Sequence, residues 1–251
     1  MRRLRPIRGD ARLSVVDHLD ELRSRVIVSL AAFAVALGLC FWQNHLILRL
    51  VNRPLHGRRP ITLGPAEPFT TTFRLAAYAA LVLTLPVLLY QAYAFVVPAL
   101  TTRERRVTTP LLLMVPTLFL AGVAFGYLLV LPAALKFLLH FNSHQFNVQI
   151  RAADYYSFAS QTLVACGLVF QVPVAILALT RLGVVTPERL RHWRRYAIVA
   201  SAVVAMLLPG VDPVTMVLEM LPLVALYELS IVLAAVFGKP RALPDPRALS
   251  A

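Results

Sequence analysis

The sequence HLDELRSR at residues 18–25 runs directly into VIVSLAAFAVALGLCFWQNHLIL at residues 26–48. The first segment is dense in charge and typical of a helix, while the second is long and apolar enough to cross a hydrocarbon core of about 30 Å. A charged helix at the end of a transmembrane segment is well placed to bind a ligand. Because Asp20 and Glu21 are acids in an otherwise basic region, we expect that ligand to be cationic.

The composition indicates a membrane protein. Of the 251 residues, 59% are hydrophobic and only 15% are charged, yet the formal net charge is +13. A soluble domain of this length could not bury so much apolar surface. The basic residues lie between apolar runs rather than on one face, which argues against nucleic-acid binding, the other usual explanation of a high pI.

Six apolar runs predict six transmembrane helices in a single integral membrane domain covering residues 1–251. The expected spans are 26–48, 75–100, 107–135, 155–182, 196–208 and 213–237, of which the last two are short. We expect residues 1–25 to form a cytoplasmic amphipathic helix and residues 239–251 to form a disordered cytoplasmic tail. Prolines are expected to kink the helices so that they pack into a concave wall, and they lie at Pro86, Pro110, Pro116, Pro132, Pro173 and Pro222.

The distribution of Lys and Arg predicts the orientation in the membrane. Acids just before the first span argue against a cleaved signal peptide, so that span is expected to be retained. With six spans both termini share one side, which holds 18 of the 25 basic residues, and the positive-inside rule places that side in the cytoplasm. The longer loops on the other side, 49–74 and 136–154, are rich in Pro and Phe, which favours an ordered cap.

Motifs for catalysis are absent from the sequence, so we expect no enzyme activity. There is no Gly-x4-Gly-Lys-Ser/Thr loop for ATP, no His-Glu-x-x-His and no serine nucleophile elbow. The cysteines Cys40 and Cys166 lie inside apolar runs without partners at metal-ligand spacing, so we expect neither a metal nor a cofactor. A six-span secondary transporter for a small solute stays the alternative function, although no internal repeat supports it.

Two acids lie at the expected cytoplasmic ends of spans. Glu21 precedes the first span, and Glu104 lies in the turn TTRERR at residues 101–106 between the second and third spans. Two such carboxylates could each accept an arginine guanidinium through paired hydrogen bonds, which lysine would copy poorly. Alternatively, Glu21 pairs with Arg25 four residues on, and Glu104 is the counter-ion of its neighbouring arginines.

Other polar residues lie at membrane depth, where they are costly and therefore often functional. Gln171 lies on the fourth span, and Asp212, Thr215 and Glu219 share one face of the sixth at i, i+3 and i+7, with Glu228 roughly opposite. Alternatively, these groups only form hydrogen bonds between neighbouring helices. The remaining polar side chains at depth include Gln91 and Gln161.

An ordered set of short motifs extends over most of the chain, roughly residues 18–237. After HLDELRSR they are EPF (67–69), PVLLYQAYAF (86–95), PAL (98–100), ERR (104–106), FGY (125–127), FQVP (170–173) and RRY (194–196), followed by Asp212, Pro222 and Tyr227-Glu228. This set resembles the TatC family, the multi-spanning receptor subunit of the twin-arginine protein translocase. The resemblance implies an all-α, glove-shaped receptor of six helices that binds the twin-arginine signal peptides of folded precursor proteins.

The resemblance also assigns roles to residues by matched position. Glu21 and Glu104 would accept the arginine pair, and the residues that shape the same site would be Arg23, Arg105, Tyr93, Phe95 and Leu100. The fifth and sixth helices would dock the single-span partners TatA and TatB, and the intramembrane polar or docking positions would be Gln171, Asp212, Thr215, Met216, Glu219 and Glu228. The resemblance further implies a homo-oligomer in a prokaryotic cytoplasmic (inner) membrane, with export driven by the proton-motive force.

Three positions depart from the family pattern. Pro209-Gly210 stands where the family has Thr-Pro before the aspartate. Gln171 stands where the family usually has Glu, and a glutamine cannot titrate. Met216 stands where a Gln is common near the start of the sixth span. Glu219, one turn further along, could supply that polar contact from a shifted position.

Overall fold

The computed structural model of this protein describes residues 15–96, 102–141, 144–145, 148–181, 183–209 and 212–237. Within these ranges, the side chains of residues 15–18, 93–94, 96, 102–113, and 237 are outside the description. The described part is almost entirely helical, and its only β pairing is a single parallel bridge between Ile61 and Arg151.

The described residues form ten α-helices. In chain order they are α1 (Val15–Trp42), α2 (Asn44–Asn52), α3 (Glu67–Val96), α4 (Thr102–Phe125), α5 (Leu131–His140), α6 (Ala152–Val169), α7 (Val172–Arg181), α8 (Pro187–His192), α9 (Arg194–Leu207) and α10 (Pro213–Phe237). A short 3-10 turn, Arg53–Leu55, follows α2, and a π-helical turn, Gly126–Val130, joins α4 to α5.

Five stretches of the described chain are long and apolar enough to cross a membrane. They are Leu19–Trp42, Glu67–Ala92, Met114–His140, Ala152–Arg181 and Pro213–Val236. Large apolar side chains on their outer surfaces are exposed, as expected where lipid rather than water is the solvent. The predicted all-α membrane protein is therefore confirmed.

The expected number of six spans is not established by helix length. Helix α9, at the position of the fifth span, has only 14 residues. At about 1.5 Å per residue it rises about 21 Å, which is less than a hydrocarbon core of about 30 Å. A helix this short crosses a bilayer only if the bilayer thins or the neighbouring helices cover its ends.

Helix ends differ from the ends of the apolar runs. Helix α3 begins at Glu67, eight residues before the apolar run that starts at Leu75, and α5 continues past Leu135 to His140. Pro68 occupies the first turn of α3, where its missing N–H is not needed. Hydropathy marks the residues that are stable in lipid, whereas the ends of a helix are set by where its backbone hydrogen bonds stop. The two sets of boundaries therefore need not coincide.

The helices pack in an order that differs from the chain order. Helix α1 packs along α3, which also contacts α4 and α6, and α4 packs on α6. Helix α7 packs on α10, and α10 packs on α9. Helix α6 stops at Val169, just before Pro173, because a proline cannot donate the hydrogen bond that would continue the helix.

The expected cap is present at the end of the bundle where α1 finishes. Its core includes Val51, Leu55, Leu75, Leu135 and Tyr155, from α2, the 3-10 turn, α3, α5 and α6. Tyrosine hydroxyls bind the backbone at the end of α2, where the first loop begins: that of Tyr155 donates to the carbonyl of Val51 at 2.5 Å, and that of Tyr127 donates to the carbonyl of Leu50 at 2.9 Å. These bonds order the loop against the helices.

Helices α4 and α6 approach each other closely through glycines. A Cβ atom added at Gly167 of α6 would lie 2.4 Å from the ring of Phe119 on α4, and one added at Gly122 would lie 2.6 Å from the carbonyl oxygen of Cys166. Only glycine permits backbones this close. The contact therefore depends on the absence of side chains at these two positions.

Candidate functional site

The charged helix at residues 18–25 forms a polar link between α1 and α3. The guanidinium of Arg25 donates from Nε and Nη2 to Oε1 of Glu21, at 3.1 and 2.5 Å, and from Nη1 to Oε1 of Gln91 at 3.2 Å. The side chains of Arg25 and Glu21 are 22% and 27% exposed. Because Gln91 lies near the end of α3, the link fixes the start of α1 beside that end.

The Glu21–Arg25 pair confirms the internal pairing considered from the sequence. Both contacts of Arg25 fall on one carboxylate oxygen, Oε1, and none of the described residues donates to Oε2. A carboxylate offers about four acceptor positions on its two oxygens. Glu21 therefore keeps the capacity to accept a second guanidinium without losing Arg25.

The second predicted acid lies at the same end of the bundle. Glu104 and Arg105 are in the first turn of α4, which begins at Thr102, and only residues 97–101 separate it from the end of α3. This short connection keeps the start of α4 near the Gln91 end of α3. The described chain thus brings the backbone of Glu104 to the end that carries Glu21.

The other residues predicted to shape this site are described only in part. Arg23 is exposed on α1, and Phe95 is half-buried on α3, one turn beyond Gln91. Leu100 lies outside the described residues, and so do the side chains of Tyr93, Glu104 and Arg105.

An apolar cavity of about 240 Å³ lies between α3 and α4, one turn from Gln91. It is lined by Pro86, Val87, Leu89, Tyr90, Val115 and Pro116. The amide of Gln171, at the break between α6 and α7, donates from Nε2 to the carbonyl oxygen of Val115 at 3.1 Å. This bond joins Gln171 to the α4 wall of the cavity.

Asp212 and Thr215 cap the start of α10. The carboxylate of Asp212 accepts from the backbone N–H of Thr215 at 2.7 Å and from its hydroxyl at 2.6 Å, and both residues are buried. An aspartate before the first turn satisfies N–H groups that have no partner within the helix. These two predicted positions therefore have a structural role in starting the last helix.

Glu219 lies on the same buried face of α10, one turn further along. It is only 2% exposed, and neither carboxylate oxygen has a hydrogen-bond partner among the described residues. A buried carboxyl group without a partner is costly in a membrane segment and marks a candidate functional position. Met216, the neighbouring departure from the family pattern, is half-buried.

Glu228 lies near the other end of α10 and is partly exposed. It accepts from Nη2 of Arg194, the first residue of α9, at 2.7 Å. The hydroxyl of Tyr227 donates to the carbonyl oxygen of Leu190 on α8 at 2.9 Å. Together these bonds hold α8 and the start of α9 against α10.

Sequence reasoning identified Gln91 only as one of several polar residues in an apolar run. Its bond to Arg25 joins residues 66 positions apart, and no local spacing reveals such a contact. The available signal was the polar residue itself at membrane depth, which predicts a partner without naming it.

Comparisons with known proteins agree with these features. The family model described as "Sec-independent protein translocase protein (TatC)" matches residues 17–222. The TatC protein of Aquifex aeolicus is 37% identical over 228 residues, covering 88% of this chain and 94% of that protein. The TatCd protein of Bacillus subtilis is 37% identical over 227 residues, covering 90% and 93%.

A solved structure shares the fold. The crystal structure of the twin arginine translocase receptor TatC in DDM superposes with a TM-score of 0.77 at 36% identity, covering 88% of this chain and 99% of that chain. The match to the family model and the identity to curated relatives over nearly their whole length lead to one assignment. The chain belongs to the TatC family of Sec-independent protein translocase proteins, and it is a membrane-embedded component of protein transport rather than an enzyme.

Proposed function

We propose that this chain binds the twin-arginine signal peptides of folded precursor proteins at the end of the bundle that carries Glu21 and Glu104. The observation that supports this proposal is the state of Glu21. Arg25, which also donates to Gln91, holds the carboxylate of Glu21 in place through Oε1, while Oε2 accepts from no described residue. A carboxylate that is held in a fixed orientation and still has a free acceptor oxygen is well placed to bind a guanidinium.

Two arginines in succession need two separate acceptors. Glu21 on α1 supplies one and Glu104 in the first turn of α4 supplies the other, so each guanidinium is matched to a carboxylate on a different helix. The planar fork of arginine donates two parallel hydrogen bonds to a carboxylate, whereas lysine offers a point charge. Around the two acids we assign the shape of the site to Arg23, Arg105, Tyr93, Phe95 and Leu100.

Crosslinking of a twin-arginine precursor to the chain in membrane vesicles tests the proposal. Glu21→Ala and Glu104→Ala should each weaken capture about tenfold or more, since each removes one charge-assisted bidentate pair. Asp20→Asn is the matched control, because Asp20 is the exposed acid next to Glu21. Unchanged crosslinking in both alanine variants, with the proteins folded in the membrane, would refute the assignment of the site.

We also propose that the edge formed by α9 and α10 docks the single-span subunits TatA and TatB within a homo-oligomeric receptor complex driven by the proton-motive force. Helix α9 supports this, since it is short and exposes Val199, Val203 and Leu207. The polar and docking positions at this edge are Asp212, Thr215, Met216, Glu219 and Glu228, with Gln171 inside the fold.

Co-purification tests the docking edge. Because Glu219 is buried, its effect on a partner would act through the packing of α10. Glu219→Ala should therefore reduce the amount of single-span partner that co-purifies. Ser230→Ala is the control, because Ser230 is another buried polar residue of α10 and its hydroxyl donates to the carbonyl oxygen of Leu226 on the same helix. Full co-purification with Glu219→Ala would leave Glu219 a structural residue.

We propose that the chain forms one domain in a prokaryotic inner membrane with both termini in the cytoplasm. The excess of Lys and Arg on the terminal side supports this orientation. In intact cells, a membrane-impermeant maleimide should label Arg58→Cys, in the exposed first loop, and should not label Ser24→Cys, at the start of α1. The reverse pattern would overturn the orientation.

A further inference from the structure

A polar cleft lies at the end of the bundle opposite Glu21, between the segment that leads into α3 and the start of α6. Its volume is about 630 Å³, within the range of roughly 300–1,000 Å³ that is usual for sites that bind small molecules. The charged residues that line it are Glu67, Arg74, Arg151 and Asp154. The proposed signal-peptide site does not use this cleft.

The cleft is built on an ordered frame. Ile61 pairs with the strand-like segment before α6: its N–H donates to the carbonyl of Ile150, and its carbonyl accepts from the N–H of Ala152, both at 2.8 Å. The carboxylate of Glu67 accepts from the N–H of Leu63 at 2.9 Å and from Nε of Arg151 at 3.0 Å. The walls are therefore fixed before any ligand binds.

Two arginines present unused donors to this space. Glu67 occupies only Nε of Arg151, whose side chain is exposed, so both Nη groups stay open among the described residues. Arg74 donates from Nη1 to the hydroxyl of Ser157 at a long 3.4 Å, and its other donors have no described partner. The hydrogen bond that Arg151 donates to Glu67, together with the negative charge of Glu67, raises the pKa of Arg151, so this guanidinium stays cationic.

Asp154 is the remaining charge of the cleft, and it is exposed with no hydrogen-bond partner among the described residues. The two arginines and the two acids balance, so the formal charge of the cleft is zero. Both carboxylate oxygens of Glu67 already accept hydrogen bonds from the frame, so the groups left for a ligand are the guanidinium donors of Arg74 and Arg151 and the carboxylate of Asp154. This arrangement complements a ligand that carries both a phosphate and an ammonium group.

The depth of the cleft matches that of lipid headgroups. The candidate membrane spans of α3 and α6 begin at its edge, at Glu67 and Ala152. At the same level of α3, but on its face towards α1, the rings of Phe41, Phe69 and Phe73 form an exposed cluster with centroids 6.1 to 6.4 Å apart. Bulky apolar side chains at this level can pack along the upper part of an acyl chain.

We propose that this cleft binds the headgroup of a zwitterionic phospholipid, phosphatidylethanolamine. The phosphate oxygens accept hydrogen bonds from the Nη groups of Arg74 and Arg151, and the ammonium group donates to the carboxylate of Asp154. The site would hold one lipid at a fixed position against the cap.

Native mass spectrometry of the full chain, released from detergent with defined lipids, tests this proposal. Phosphatidylethanolamine should be retained by the unaltered protein and about tenfold less by Arg74→Gln, which removes a charge-assisted donor. Asp154→Asn should abolish the preference for phosphatidylethanolamine over phosphatidylglycerol, because only the former carries an ammonium group. Arg59→Gln is the matched control, since Arg59 is an exposed arginine of the segment before α3 and does not line the cleft.

Three results would overturn the lipid proposal. Equal retention of phosphatidylethanolamine by Arg74→Gln and by the unaltered protein overturns the proposal, and so does inorganic phosphate that displaces the lipid at a similar concentration. A preference for phosphatidylglycerol in the unaltered protein also overturns it. If Arg74→Gln is not monodisperse, Arg74→Lys replaces it. This variant should retain less phosphatidylethanolamine than the unaltered protein but still retain some, because lysine keeps the positive charge and loses the paired donors of the guanidinium.

Discussion

The close contact between α4 and α6 predicts that a side chain at Gly167 destabilises the protein. Helix α4 carries Glu104 in its first turn, so the packing of α4 on α6 helps to position the proposed signal-peptide site. In Gly167→Ala, the added Cβ would lie 2.4, 2.8 and 3.0 Å from three ring carbons of Phe119. Real Cβ atoms essentially never approach another heavy atom below 3.0 Å, so either the ring or the helix must move.

Neither movement is easy. Phe119 is 0% exposed and is packed on all sides, and the backbone contact at Gly122 prevents α4 from sliding along α6. Overpacking of a filled core typically costs about 1–3 kcal/mol, and we expect Gly167→Ala to reach the upper end of this range. In a thermal melt of the purified protein, a loss of about 3 kcal/mol should lower the midpoint by about 6–12 °C.

Two comparison variants test whether the collision with Phe119 causes the loss of stability. Gly38→Ala, on α1, meets nothing within 4 Å and should leave the protein unchanged or slightly more stable, because alanine favours the helix by about 1 kcal/mol over glycine. Adding Phe119→Leu to Gly167→Ala removes ring atoms at the point of collision and should recover part of the loss. A Gly167→Ala protein that melts within about 1 °C of the unaltered one would refute the close-packing argument.

Three further predictions follow from single contacts. Glu67→Gln should lower the unfolding free energy by about 1–2 kcal/mol, because Leu63 and Arg151 donate to different oxygens of the carboxylate and the amide replaces one of these acceptors with an NH2 donor; faster proteolysis of the first loop would show it. Asp212→Ala should cost about 1 kcal/mol in a thermal melt through loss of the α10 cap, and Asp212→Asn should cost less. Gln171→Glu should be tolerated, with export of a twin-arginine precursor unchanged, since the family usually has Glu there.

Local features of the site could be predicted from the sequence. Glu21 and Arg25 are four residues apart on one helix, so their pairing follows from helix geometry. The cap of α10 is similarly local, because Asp212 and Thr215 are three residues apart. In both cases the two partners lie within one helical turn, so their contact does not depend on the packing of other helices.

Contacts between distant segments could not be predicted in the same way. The bond from Arg25 to Gln91 joins residues 66 positions apart, and the pair of Arg151 with Glu67 joins residues 84 positions apart. Each depends on which helices pack together and at what height. The exposure of a carboxyl group is equally non-local: Glu219 and Glu228 lie on one helix, yet one is buried and the other is partly exposed and paired with Arg194.

The amino-acid sequence by itself determined that this is an all-α membrane protein of the TatC family, because long apolar runs can satisfy their backbone in lipid only as helices, and an ordered set of motifs identifies the family. Only the tertiary structure decided that Arg25 also reaches Gln91, that Glu219 is buried while Glu228 pairs with Arg194, and that the segment before α3 and the start of α6 enclose a charged cleft. The physical reason is that hydropathy and helical spacing act over a few residues, whereas these features arise where side chains from separate helices share one space.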